Sequence, residues 1–490
     1  MVFFYLLSQT IALIGVVFLT SGLPLPLYVF SLCAAYGLNC IFCRRGVMRF
    51  IAVLSLGLSI GLSAMSSAAW AESDPQLRSQ LAEEVNAVAA DVISWRRDIH
   101  EHPELSNREF RTSKLVADHL KSLGMEVQTG VAHTGVVGIL RGGKPGPVLA
   151  LRADMDGLPV VEKTGLAYAS KQLGEYEGRE VGVMHACGHD NHVAILMGAA
   201  QALAAVREDL PGTVKFIFQP AEEGPPRGED GGAKMMIAEG ALKNPDVDAV
   251  IGLHISQGSA VGTATYRSKG FMASAQRFDI EIKGSQTHGA RPWAGVDPIV
   301  VGAQIVNALQ TIVSRQIDIT QHPVVVTVGN FQAGVRNNIV PETASMSGTI
   351  RTFDPNIRLA VHEKIRRIVS NIAESQGAEA TVDIDPGVPV TYNDAELTAL
   401  LGPTLDKVYG PTNVYEPPLV TGAEDFSFFQ EQVPGFFFFI GARPLSVPPE
   451  KAIPNHSPYF YVDEGALKPG VSAMTQLTLD YLQANQVASD

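Results

Sequence analysis

The feature that most constrains this chain is a series of short apolar runs that each end on polar or charged residues and are separated by helical patterns. Pro147-Val148-Leu149-Ala150-Leu151 leads into Arg152-Ala153-Asp154-Met155-Asp156. Thr213 to Phe218 leads into Gln219-Pro220 and then Glu222-Glu223, and Ala249 to Leu253 leads into His254. Leu77 to Gly124 is helical apart from the turn at His102-Pro103-Glu104, and Val193 to Val206 is helical throughout. Wholly apolar strands alternating with helices predict a mostly parallel sheet covered on both faces. After Tyr266 the pattern changes. Phe278 to Ile282 and Thr343 to Arg351 alternate in polarity, and helical stretches at Pro298 to Ser314 and Ile357 to Ser375 accompany them. The order strand, helix, strand, strand, helix is that of a ferredoxin-like α+β sandwich. From about Thr381 the first pattern returns, with a strand at Phe436 to Ile440 and a last helix at Pro469 to Leu482. The expected fold is α/β, a large domain (72–266 and 381–490) interrupted by an inserted ferredoxin-like domain (267–380).

The first 71 residues differ from the rest, carrying Arg44, Arg45 and Arg49 and no acid. Met48-Arg49, the apolar stretch Phe50 to Leu62 and Ala69-Trp70-Ala71 before Glu72 have the order of a cleavable export signal, placed at 48–71. Residues 1–47 form an apolar leader, read either as a start assigned too early or as a membrane segment. The expected location is therefore periplasmic or secreted, with membrane attachment only if the leader is retained. Without those three arginines the formal net charge moves from −13 to −16. A body this acidic repels phosphate backbones, which argues against nucleic acid as a partner. Three of the four cysteines lie in the leader, so Cys187 stands alone in the body and forms no internal disulfide.

A lone thiol is by default a small buried hydrophobe. Its neighbours argue otherwise in His185-Ala186-Cys187-Gly188-His189-Asp190, where Cys187 and His189 flank a glycine just before a helix. Thiolate and imidazole together suit zinc or another first-row divalent ion. Glu222 and Glu223 are adjacent, so one carboxylate can bind metal while the other faces an attacking water. Taken singly, His254 reads as a satisfied core histidine and His456 as a loop histidine. Their placement outweighs those defaults, because open parallel sheets bind ligands at the carboxyl ends of their strands. Asp154, Asp156, Glu222, Glu223 and His254 all follow such strands. Cys187, His189, Glu223, His254 and His456 make five candidate ligands, more than one catalytic zinc needs, which indicates two ions.

With these residues in view, the chain resembles the amidohydrolase branch of the aminoacylase and carboxypeptidase metallopeptidase superfamily. That branch includes hippurate hydrolases, N-acetyl amino acid deacetylases and auxin-conjugate hydrolases. The resemblance runs through residues 80–485 in order. It includes Arg96 to His100 with Pro103 to Ser106, Arg152 to Pro159, His185 to Asp190, Gln219 to Gly224 and Gly232 to Ile237. It continues with Thr287 to Pro292, Gly348 to Phe353 and Gly422 to Phe426. It implies a catalytic large domain, a lid or dimerisation domain as the insertion, and a homodimer. It implies two divalent ions (Mn, Zn, Co or Ni) held by Cys187, His189, Glu223, His254 and His456. Glu222 would be the general base and Asp156 the carboxylate that orients a ligand. His288 would stabilise the developing oxyanion across a dimer interface, with Asn338 and Arg351 binding substrate. Many peptidase relatives have aspartate where Cys187 stands, which favours the amidohydrolase branch, and the Gly224 to Gly231 loop departs from the pattern. The expected reaction is hydrolysis of the amide of an N-acyl amino acid or related small conjugate. The alternatives are a dipeptidase or deacylase of the same superfamily, or a non-catalytic binding protein on this fold, against which an intact Glu222 argues.

Overall fold

The computed structural model describes residues 74–486, so the leader and export signal expected from the sequence lie outside the described residues. Helices α1 (Pro75–Glu101) and α2 (Phe110–Ser122) open the described chain. Asp74 caps α1 by accepting the N–H groups of Gln76 and Leu77, and Pro75 occupies the first turn, where no donor is missed. Strands β1 (Glu126–Val131), β2 (Gly135–Arg141), β3 (Lys144–Asp154), β4 (Pro211–Gln219), β5 (Ala249–Ala260) and β6 (Ala264–Thr265) follow, with α3 (His189–Ala205) between β3 and β4. The chain then builds a separate sheet from β7 (Gln276–Lys283), α4 (Pro298–Arg315), β8 (Val324–Ala333), β9 (Thr343–Thr352), α5 (Pro355–Ser375) and β10 (Glu379–Ile384). It returns through α6 (Ala395–Tyr409), β11 (Val414–Tyr415), β12 (Gly435–Arg443) and α7 (Leu467–Ala484).

The large sheet has the order β1-β2-β4-β3-β5-β12-β6-β11. Its centre, β4-β3-β5-β12, is parallel, while β1, β2 and the β12–β6 pair run antiparallel. One face is covered by α1, α2, α3, α6 and α7, and the other by the Gly232–Ala238 helix with Phe426 and Phe429. Helix α3 is buried all round along most of its length, as a helix sandwiched between a sheet and other helices must be. A Cβ on Gly198 would meet Val92 of α1 at 2.6 Å, so this glycine sets how closely α1 and α3 approach.

The small sheet has the order β8-β9-β7-β10, the ferredoxin-like arrangement, and its core joins β7 and β9 to α4 and α5. Burial alternates strictly along β7, as its sequence predicts for a half-exposed strand. The expected boundary at residue 380 falls inside a strand, because β10 pairs with β7 and crosses it. The two connections between the sheets run side by side, with Ala275 and Val388 exchanging both backbone hydrogen bonds at 2.9 Å.

His254 is a correction. It does not follow its strand but lies within β5. The pairing of β3 with β5 stops at Arg152 and Gly252, whereas β12 pairs with β5 as far as Ala260. Beyond Gly252 one side of β5 is therefore unpaired by β3, and His254 sits where the sheet opens.

Candidate active site

Helix α3 begins at His189, and the residue before it, Gly188, has φ +97°. A Cβ there would meet Ile255 at 2.5 Å, so only glycine lets the chain turn between Cys187 and His189. That turn aims both side chains at His254, with Cys187 Sγ 3.4 Å from His254 Nε2. His254 Nδ1 donates to the Ile255 carbonyl at 2.7 Å, which leaves Nε2 with a free lone pair. His189 Nδ1 lies 3.2 Å from Asp156 Oδ1, so Asp156 holds that proton and Nε2 faces Glu222 at 3.8 Å. His456, at φ +70°, is anchored by its N–H to the Ala186 carbonyl, and its Nε2 is 2.9 Å from Glu223 Oε1. Asn455 beside it donates to the Cys187 carbonyl at 2.9 Å. Two loops far apart in sequence are thereby locked together around one thiol.

Cys187, His189 and His254 form one donor group and Cys187, Glu223 and His456 a second, each with its ligand atoms within 4.8 Å of one another. The residues fit a pair of divalent ions that share Cys187. His189 Nε2 is buried without a hydrogen-bond partner, as a ligand atom would be. The donor chemistry, soft thiolate with imidazoles and a carboxylate, is that of first-row divalent ions. Asp156 also accepts the N–H groups of Glu222 and Glu223 and the hydroxyl of Ser106, so it orients the histidine and the acidic turn together.

Behind the acidic turn lies a network of which sequence reading named the stretches but not the connections. Arg152, fully buried, donates to Asp154 at 2.6 Å, Gln219 at 2.8 Å, and Glu424 and Asp425 at 2.9 Å each. Glu222, Glu424 and Asp425 bring ligand atoms within 4.8 Å of one another. Burial, then Glu424 and Glu223, hold the Glu222 carboxyl well above the usual range. Burial, acting against Arg152 and aided by Glu424, pushes Asp425 up to about 7. His192 donates from Nδ1 to Asp154 and accepts the Ile255 N–H on Nε2, which positions the strand beside His254.

A cavity of about 780 Å³ opens over Cys187, Glu222, Glu223, His254 and His456, and its far wall is largely apolar, including Met272, Val388, Leu419 and Phe439. His288, Asn338 and Arg351 are not among its lining residues. His288 and Asn338 are exposed and neighbour each other, with Gly289 N–H donating to the Asn338 carbonyl. Arg351 lies in a separate groove on the small sheet, hydrogen-bonded to Thr349. The five candidate ligands, Glu222 and Asp156 thus converge, and these three do not join them within one chain.

Strand-end carboxylates, a shared thiol and a cavity beside the Glu222 carboxyl define the class of metal-dependent hydrolases. The chain belongs to peptidase family M20/M25/M40, whose model matches residues 150–480, and it is a hydrolase that cleaves amide bonds with the help of metal. It is 42% identical over 407 residues to thermostable carboxypeptidase 1 of Saccharolobus solfataricus, covering 82% of this chain and 98% of that protein. It is 38% identical over 383 residues to N-acetyl-L-cysteine deacetylase of Bacillus subtilis, covering 78% and 86%. The solved structure of the YXEP protein of Bacillus subtilis, described as a dinuclear metal binding peptidase of the M20 family, superposes with a TM-score of 0.68. The two are 35% identical, with 81% of this chain and 99% of that one covered.

Proposed function

We propose that this protein hydrolyses the amide bond of N-acyl amino acids or similar small conjugates. The observation that carries the reading is Glu222, a carboxyl with a raised pKa at the wall of an open, mostly apolar cavity beside two metal-donor groups. Cys187, His189 and His254 would hold one divalent ion, and Cys187, Glu223 and His456 the other. The ions, when bound, supply the Lewis acidity that acidifies a water and polarises a carbonyl. Glu222 takes the proton of the attacking water and returns it to the leaving amine, a role that needs a base whose pKa lies near the working pH. The apolar wall excludes bulk water and accepts the acyl group. A donor at the developing oxyanion is worth roughly 3 kcal/mol. His288 would supply it from a second subunit, with Asn338 and Arg351 holding the substrate carboxylate.

The relative named a deacetylase supports acyl amino acids, and the carboxypeptidase supports peptides with a free carboxyl end. Both substrates present an amide next to a carboxylate. A panel of N-acetyl and N-benzoyl amino acids and dipeptides, assayed for released amine with wild type and Glu222→Gln, separates them. Acyl amino acids should turn over fastest, and the variant should lose ~10²–10⁴-fold in kcat with KM little changed. A fully active Glu222→Gln would remove the base assignment, and turnover of dipeptides alone would move the substrate class.

A further inference from the structure

Three consecutive N–H groups, those of Ala221, Glu222 and Glu223, point at two buried carboxyl groups. Asp156 receives the second and third, at 3.1 and 3.0 Å. The first goes to Glu109 Oε1, at 3.0 Å. Glu109 stands outside the donor groups described above. It is the residue before α2, it is fully buried, and its carboxyl does not cap the helix, whose Arg111 and Thr112 N–H groups go to Glu104 instead. Oε1 also accepts the Asn107 N–H at 3.1 Å, and Oε2 takes the Thr134 hydroxyl. Among the described residues no lysine or arginine is hydrogen-bonded to it. Burial, then the nearby Asp156, push the Glu109 carboxyl up to about 8, so a carboxyl here is costly to the core.

What the group does is visible at Ala221, which has φ +53°, a conformation that side chains other than glycine rarely adopt. The left-handed turn redirects the chain after Pro220, so that the next side chain, Glu222, reaches the cavity wall. Relaxation of Ala221 to negative φ would rotate the Ala221–Glu222 peptide and take the Glu222 carboxyl with it. We propose that Glu109 is a positioning residue for amide hydrolysis, which pins the Ala221 N–H, holds Ala221 left-handed and thereby aims Glu222. The proposal rests on Glu222 being the base.

Full-length, metal-loaded Glu109→Gln and Glu109→Asp, each with and without Ala221→Gly, test it against wild type and Glu222→Gln. The measurements are kcat, KM, melting temperature and bound metal. Glutamine keeps an oxygen at the same reach for Ala221 and Asn107 and can donate to Thr134, so it should rescue turnover. Aspartate is one methylene too short and should lose about 10²-fold in kcat at unchanged KM and metal content, the scale of a misplaced catalytic group. Ala221→Gly, which makes the left-handed turn free of strain, should recover part of that loss. An active aspartate with an inactive glutamine would mean that charge matters rather than reach, and would overturn the proposal. Equal kcat in all variants, or a loss that follows melting temperature or metal content, would also overturn it. If the aspartate variant does not fold, loss of turnover in the folded glutamine variant still overturns it. A fully active Glu222→Gln would instead bring down the reading of the base.

Discussion

The thiol of Cys187 belongs to both donor groups, so its loss should be felt by both ions. Burial pushes this thiol up to about 12, and a cation that takes Sγ as thiolate must therefore displace its proton. Cys187→Ala should lower bound metal and turnover together, while Cys187→Asp keeps some of each. Glu223→Gln should weaken metal retention, whereas Glu222→Gln should keep metal and lose turnover. Metal analysis of the purified variants checks this, and full occupancy in Cys187→Ala would contradict it. Cys187 and His189 were legible in the sequence because two residues around a glycine are local, and a turn settles their geometry. The Arg152 network was not, because Arg152 meets Glu424 and Asp425 more than 270 positions away. Nothing in those stretches shows that one guanidinium serves four partners. Removing it would leave buried carboxylates uncompensated, at about 3–5 kcal/mol, so its role is to hold the back of the site. Glu109 was hidden for a similar reason: its value lies in the backbone angle of Ala221, which side-chain patterns do not encode.

Among the elements, the central strands and long helices were legible because apolar runs and 3.6-residue periodicity report burial directly. The ends were less so, and it is at the ends that this site lies. Helix α3 starts at His189, four residues before the helical pattern at Val193, because Gly188 permits the turn. Strand β5 outlasts its apolar run because β12 continues to pair with it. The Leu173–Tyr176 and Arg179–Gly182 hairpin, short and largely polar, gave no periodic signal. Where α2 meets its neighbours, His119 packs against Trp95 with ring centroids 4.7 Å apart, and its Nε2 lies 3.1 Å from the Met197 carbonyl. Burial, partly offset by that hydrogen bond, lowers its pKa below the ordinary value. The unfolded chain then binds more protons just below pH 6.5, so stability falls as pH drops through that window. Replacing the imidazole by the apolar ring of His119→Phe removes this contribution. Melting curves from pH 7.5 to 5.5 should show wild type losing more stability than the variant, and parallel losses would contradict the assignment.

At the scale of the molecule, His288 and Asn338 lie exposed at the two-stranded pairing of Thr287–His288 with Ile339–Val340, and neither lines the cavity they are proposed to serve. Trp293 is 77% exposed and Val335 fully exposed. If His288 acts in trans, mixing inactive Glu222→Gln with inactive His288→Ala should restore activity, up to about a quarter of wild type for random exchange and independent sites. No recovery despite demonstrated subunit exchange would rule the arrangement out. Amide hydrolysis that depends on ions held at Cys187, His189, Glu223, His254 and His456 is open to test by chelation and reloading. Wild type stripped of metal should lose turnover of an N-acyl amino acid, then regain it with Mn, Zn, Co or Ni as occupancy approaches about two ions per chain. Undiminished turnover by protein shown to hold no metal would contradict the account.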